Sequence, residues 1–178
     1  MALYKHVANK EELLDGMVDI VFSEIELPSG NLDWRSAMQR RAISTREALK
    51  RHCWAIGMME SRHPGPANLR NHNAVIGCLR KAGFPFEMAI HAYSLQDTYI
   101  YGFALQERDL AFETPESAGN AAQKRAETIG ALENYPYLVE ISTKLPESGY
   151  DNAVEFGWGL DLILDGLKQL RHTGAAPA

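Results

Sequence analysis

Apolar residues return every three or four positions through most of the chain, and no stretch alternates long enough to predict a strand. Leu13, Leu14, Met17, Val18, Val21 and Phe22 predict a helix over 10–26, ended by Pro28-Ser29-Gly30. Asn9 stands where an N-cap belongs, with Glu11 and Glu12 in the first turn and Glu12 three residues after the cap. Ahead of it, Leu3 and Val7 lie four apart, as on the tail of an earlier helix. Asp33 caps a longer helix with Trp34, Met38, Ala42, Thr45 or Ala48, and Leu49 on its apolar side. Arg35, Arg40, Arg41, Arg46, Lys50 and Arg51 crowd the rest of that helix. Residues 53–59 are nearly all apolar and predict a short buried helix, broken by Arg62-His63-Pro64-Gly65-Pro66.

A helix over 67–82 follows, with Leu69, Val75, Ile76 and Leu79 inward and Gly83 as its stop. The stretch 86–108 carries Met88, Ala89, Ala92, Tyr93, Leu95, Tyr99, Ile100, Phe103 and Leu105. It is apolar on more than one face, as a helix buried in the core and against a partner would be. Two shorter helical pieces are expected over 118–131 and 134–145. In the last helix, 153–170, Phe156, Leu160, Ile163, Leu167 and Leu170 recur at intervals of four, three, four and three, the pattern of a helix-packing seam. Gly157, Gly159 and Gly166 would let a partner backbone approach closely, and the tail after His172 is expected to be disordered. The fold class is all-α.

The chain has 178 residues, 46% of them hydrophobic and 23% charged, enough for one domain with a sizeable core. Its formal net charge is −5. A module that held DNA by itself would show a basic footprint, and only Lys5, His6 and Lys10 at the start supply one. These residues alone are therefore not expected to bind DNA. Cys53 and Cys78 lack CxxC spacing and read as free thiols in a reducing compartment. With no signal peptide and no apolar run of about 20 residues, a soluble cytoplasmic protein is expected.

The chemistry-bearing motifs are missing. No HExxH, GxSxG, Walker loop or GxGxxG occurs, and His91 and Asp97, six apart, point to different faces of a helix. No catalytic residue, cofactor or metal is expected, and the chain does not read as an enzyme. Met58 and Met59 with Trp54 make either a pliable wall around a ligand or ordinary core, and spacing alone favours the core. Tyr93, Gln96, Asp97 and Tyr101 bring polar tips into an apolar helix, and some must find buried partners.

LYKHVANKEELLDG resembles the end of the recognition helix and the start of the connecting helix in the TetR family of transcriptional regulators. The GF turn at Gly83-Phe84 and FGWGLDLILDGLKQL near the end resemble the ligand-binding and dimerisation domain of its tetracycline-repressor branch. The resemblance implies an all-helical homodimer, joined by a four-helix bundle of the long apolar helix, the last helix and their copies. Tyr99, Phe103, Phe156, Leu160, Ile163 and Leu167 would form that interface.

By the same resemblance, residues 1–8 are a remnant of the recognition helix, in which Tyr4, Lys5 and His6, with Lys10 just beyond, match positions that face DNA. Residues 9–26 are the connecting helix, 27–172 the effector-binding and dimerisation domain, and 173–178 a tail. Most of the family's N-terminal DNA-binding head is expected to be missing from this chain, so operator DNA would be a partner only through that missing head. An alignment on Pro64 and Gly83-Phe84 places Arg41, Thr45, Val75, Ile90, Tyr93 and Asp97 at the family's cavity, bordered by Trp54, Met58, Met59 and Arg62. It also puts Met59, Arg62 and Gln106 where tetracycline-responsive members hold Mg²⁺ with a His, a Thr and a carboxylate. A thioether, a cation and an amide suit a hard dication poorly, so the expected effector is a small apolar or aromatic molecule, uncharged or anionic. The implied function is a ligand-responsive transcriptional repressor whose effector tilts the connecting helix. A stand-alone binding or scaffold protein without a head is the alternative.

Overall fold

The computed structural model describes residues 8–111, 132, 134–144 and 151–173. Among these, regular structure is helical: α1 Lys10–Ser23, α2 Trp34–Arg51, a 3₁₀ segment Cys53–Met58, α3 Pro66–Lys81, α4 Phe86–Ala111, α5 Pro136–Lys144 and α6 Asn152–Thr173. The expected helix over 118–131, the tail, and Tyr4, Lys5 and His6 lie outside the described residues.

Local chemistry sets the ends. The Asn9 side chain accepts from the Glu12 N–H and caps α1, while the Glu12 carboxylate reaches back to the Ala8 N–H, one residue short of a full capping box. Asp33 accepts from the N–H groups of Arg35 and Ser36 and caps α2. Pro66 opens α3, where its missing N–H costs nothing. Gly83, at φ +91°, stops it in a conformation that strains any residue with a Cβ.

Helix α4 is the axis of the molecule. Helices α2, α3 and α6 and the 3₁₀ segment all pack on it, while α1 lies on α3 and the 3₁₀ segment. Its inward stripe is Met88, Ala89, Ala92, Gln96, Asp97, Ile100 and Ala104. The buried aromatics divide between the two ends of the core. Phe84 meets Trp34 edge-on at 4.9 Å, and Phe156 stacks on Tyr99 at 5.4 Å with Phe103 edge-on at 5.2 Å.

Two expectations about helix faces change. Arg41 and Arg46, set off the apolar side of α2, are both buried, Arg41 as its placement at the cavity implied. This is because α2 packs on α4, α3, α6 and the 3₁₀ segment and leaves Arg40, Ile43 and Lys50 to solvent. Leu69, expected inward, is 55% exposed, since α3 turns its Ala67, Asn68, Asn71, Val75 and Leu79 edge to the core.

The seam of α6 also faces differently. Phe156, Leu160 and Leu167 are buried, with Leu164, against α4 and α2 of the same chain, and Ile163 is partly buried. Tyr99 and Phe103 are spent on Phe156. The space left by Gly159 is filled by the Tyr99 ring, whose hydroxyl donates to the Phe156 carbonyl at 2.9 Å. Phe156, Leu160 and Leu167 thus close the chain's own core, while Tyr99, Phe103 and Ile163 keep part of their surface in solvent. The stripe that α6 leaves in solvent is Val154, Trp158 and Leu162, at 63%, 65% and 56% exposure.

Candidate functional site

Where α2, α3 and α4 meet, the core turns polar. The Arg41 guanidinium is fully buried and pairs with Asp97, which lies one helix away and is itself 4% exposed. Its Nη1 donates to both Asp97 and Gln96, the latter at 3.4 Å. Its Nη2 donates to Asn71 Oδ1 at 3.1 Å and to Asp97 Oδ2 at 3.2 Å. Gln96 turns its own amide N–H to the Met38 carbonyl at 3.3 Å, and Tyr101 donates to Asp97 Oδ2 at 3.4 Å. Thr45 bonds back to the Arg41 carbonyl at 2.8 Å. Two fully buried donors in this cluster have no partner: Arg41 Nε and Asn71 Nδ2.

The electrostatics follow from burial. Burial opposes the Arg41 charge, but the attraction and hydrogen bonds of Asp97 outweigh it and hold the group above its usual range, so it stays a cation. Burial first, then the Asp97 charge, pushes the Tyr93 and Tyr101 phenols far up, and both keep their protons. His72, bonded to the Tyr93 hydroxyl at 2.7 Å, is held below its usual value mainly by burial, against the pull of Asp97. The cluster therefore pairs the Arg41 cation with Asp97, and the charge of Glu60, outside it, also reaches His72, Tyr93 and Tyr101. From the cluster a contact runs outward, because the His72 ring meets Phe22 of α1 edge-on at 5.9 Å.

Helix α1 is tied to the same region at two further points. Asp19 accepts from the N–H groups of Ala67 and Asn68 at 3.2 and 2.9 Å, so a side chain of α1 satisfies the first turn of α3. Gly65 leaves the room, since a Cβ there would collide with the Asp19 carboxylate. Arg62, just ahead, pairs with Glu11 and with Asp15 of α1, the latter at 3.8 Å.

Of the expected ligand residues, Arg41, Thr45 and Asp97 come together in the cluster, with Tyr93 at its edge. Val75 and Met59 are buried core. Met58 is partly buried, and Arg62 serves α1. Trp54 and Ile90 stand at the surface, 39% and 43% exposed. The 3₁₀ winding turns Trp54 out toward His52, and Ile90 sits a hundred degrees around the helix from Ala89 on the inward stripe. Lys10 is the exposed first residue of α1. Asn71 was missed. A polar residue between Leu69 and Val75 on a helical stripe was the available signal.

Known proteins share this fold. The sequence profile described as tetracyclin repressor-like, C-terminal domain, matches residues 27–171. The chain belongs to this family. The HTH-type transcriptional repressor DrrR1 of Streptomyces coeruleorubidus is 31% identical over 96% of this TetR-like chain, which spans only 65% of that relative's length. The tetracycline repressor class A of transposon 1721, from Escherichia coli, is 28% identical over 96% of the chain and 76% of its own length. The crystal structure of the Streptomyces coelicolor TetR family protein ActR in complex with actinorhodin matches with a TM-score of 0.74 at 27% identity, over 94% of this chain and 80% of that one. Among the described residues, no helix is long and apolar enough to cross a membrane, and no group of His, Cys, Asp and Glu could hold a metal ion.

Proposed function

We propose that the chain is the effector-binding and dimerisation part of a ligand-responsive transcriptional repressor, and not an enzyme, acting in the cytoplasm. The observation that carries this reading is the coupling of α1 to the polar core through Asp19, Arg62 and the His72–Phe22 contact. Helix α1 is the segment that would lead back to a DNA-binding head, with residues 1–8 the end of its recognition helix. An effector that displaces α3 or the turn before it moves two anchor points of α1 at once. Recognition helices in a dimer must meet half-sites about 34–36 Å apart, so a small tilt of each α1 spoils the match.

The effector is a small aromatic or apolar molecule lodged beside Arg41 and Asp97. ActR, a structural neighbour, binds actinorhodin, which supports an aromatic effector of that kind. A magnesium-chelated drug, such as the anhydrotetracycline–magnesium complex of TetR class A, does not fit the residues present. Met59 is a buried thioether, Arg62 is a cation already held by two carboxylates of α1, and Gln106 is a neutral amide beside a surface hollow of about 250 Å³.

A second copy of the chain covers Val154, Trp158 and Leu162 of α6, a stripe too apolar to leave in water. Trp158→Arg is expected to give a folded monomer by light scattering, whereas Leu160→Arg should unfold the chain. A dimer persisting in Trp158→Arg would place the interface elsewhere.

The full reading frame, including any codons upstream of Met1, provides the direct test. The complete protein should retard the DNA upstream of its own gene in a gel-shift assay and release it on adding actinorhodin or a related aromatic compound. A complete protein that carries a head yet holds no such DNA would end the repressor reading.

A further inference from the structure

Helix α3 has a second working face. Asn73, Gly77 and Lys81 recur at every fourth position, on the side opposite to Asn71, Val75 and Leu79, which enter the core. There, between the later turns of α3 and the connection from α1 to α2, lies a hollow of about 490 Å³, a volume usual for small-molecule sites. Pro28 and Leu32 of the connection, Trp34, and Gly77, Cys78 and Lys81 are among its walls, and no residue of the Arg41 cluster lines it. Two features keep it open and shaped. Nothing stands within 4 Å of where a Cβ on Gly77 would be, so the α3 wall is set back. Opposite, the Trp34 ring is fixed, meeting Phe84 edge-on at 4.9 Å with the Arg171 guanidinium over it at 5.8 Å.

We infer that this hollow is a second small-molecule site, separate from the effector site proposed above, and that it takes a flat aromatic carboxylate. The charges in and around the walls set the sign. Among the described residues, Lys81 is the one charged side chain that lines the hollow. Lys50 and Lys144 pair with Glu47 and Glu140, whereas Lys81 has no carboxylate partner among the described residues. The charges of Lys81 and of Asp33 both reach the Cys78 thiol, but the Asp33 carboxylate is held by the N–H groups of Arg35 and Ser36. Carbonyls at the end of α3 would repel an anion, and these are already engaged. Those of Cys78, Leu79 and Arg80 accept from the N–H groups of Ala82, Phe84 and Gly83, and that of Ala82 accepts from the Arg171 side chain. An anion thus meets one cation and no facing anion, and a cationic ligand would meet Lys81 itself. The ring follows from Trp34, with Pro28 and Leu32 beside it, which offer a flat apolar wall.

Three probes separate ring from charge: 2-naphthoate, the neutral 2-naphthamide, and cyclohexanecarboxylate, an anion without an aromatic ring. Calorimetry on the 178-residue chain should find 2-naphthoate bound at about 0.1 mM or tighter, and the other two at least about tenfold more weakly. Lys81→Gln should weaken 2-naphthoate severalfold and leave 2-naphthamide alone. Gly77→Phe puts a ring into the open space beside α3 and should abolish binding. Because that variant alters a helix, the unaltered chain supplies a second readout. Bound 2-naphthoate should slow alkylation of Cys78 by iodoacetamide, followed by mass spectrometry, and leave the rate at Cys53 unchanged. Equal affinities for 2-naphthoate and 2-naphthamide overturn the charge assignment, and equal affinities for the two carboxylates overturn the aromatic one. Binding that survives Gly77→Phe while Cys78 stays unprotected puts the probe elsewhere and removes the site, with the effector reading untouched. No binding of 2-naphthoate up to millimolar concentration overturns the inference outright.

Discussion

Helix α2 buries two arginines little more than a turn apart, and their surroundings differ in one respect. Arg46 presents its Nε and Nη2 edge to Glu107 and is held bidentately, with Nε to oxygen at 2.7 Å. Its guanidinium also lies over the rings of Phe103 and Phe156, at 5.6 and 5.1 Å. Nothing on that buried edge is left over, and the group works as a rivet between α2, α4 and α6. Arg41 offers the same edge, but only its Nη2 half is filled, and Asn71 beside it carries a second empty donor. A buried ion pair whose hydrogen bonds are complete is structure. The Arg41 pair is left incomplete, as are Arg62 Nε and Asn68 Oδ1 near α1, and such groups mark where the packing still has something to satisfy.

The largest expected effect comes from removing the counter-ion of the incomplete pair. Asp97→Ala leaves a fully buried cation and should cost about 3–5 kcal/mol of stability in urea unfolding. A loss below about 1 kcal/mol would mean that water already reaches Arg41, and the contrast would collapse.

Glu107→Ala should cost less, about 1–3 kcal/mol, because Arg46 keeps its ring contacts and an outer pairing with Glu47 at 3.7 Å. The same variant should leave the ratio of its actinorhodin affinity to that of the unaltered chain at about one in calorimetry. A changed ratio would show that the two arginines are one site and not two.

The smallest effect is a pH dependence confined to the Arg41 side. Folding lowers the His72 pKa below its ordinary 6.5, so as the pH falls the unfolded chain takes up that proton first. The His72 contribution is fully present above that value and is lost as the pH falls through the lower folded value. His72→Phe, which keeps a ring against Phe22, should flatten the drop in melting temperature between pH 7.5 and 5.5, whereas Glu107→Ala should leave this slope alone. Equal slopes in the unaltered chain and His72→Phe would remove the histidine from the account.

Much of this was legible beforehand because it is local. Caps at Asn9 and Asp33, the Gly83 stop and the existence of each described helix depend on residues within a turn of one another, and spacing reports them. Helical periodicity also marks stripes, but α6 carries two. Whether Phe156, Leu160 and Leu167 or Val154, Trp158 and Leu162 would close the chain's own core depended on how α4 and α2 lie against it. The same holds for Arg41 and Arg46, which by residue type belong in water. They are buried because Asp97 and Glu107 stand 56 and 61 residues away in sequence and directly opposite in space. Charge balance, an unfilled donor and the room left at Gly65 for Asp19 are relations between distant residues, and only the packed chain brings their partners within reach.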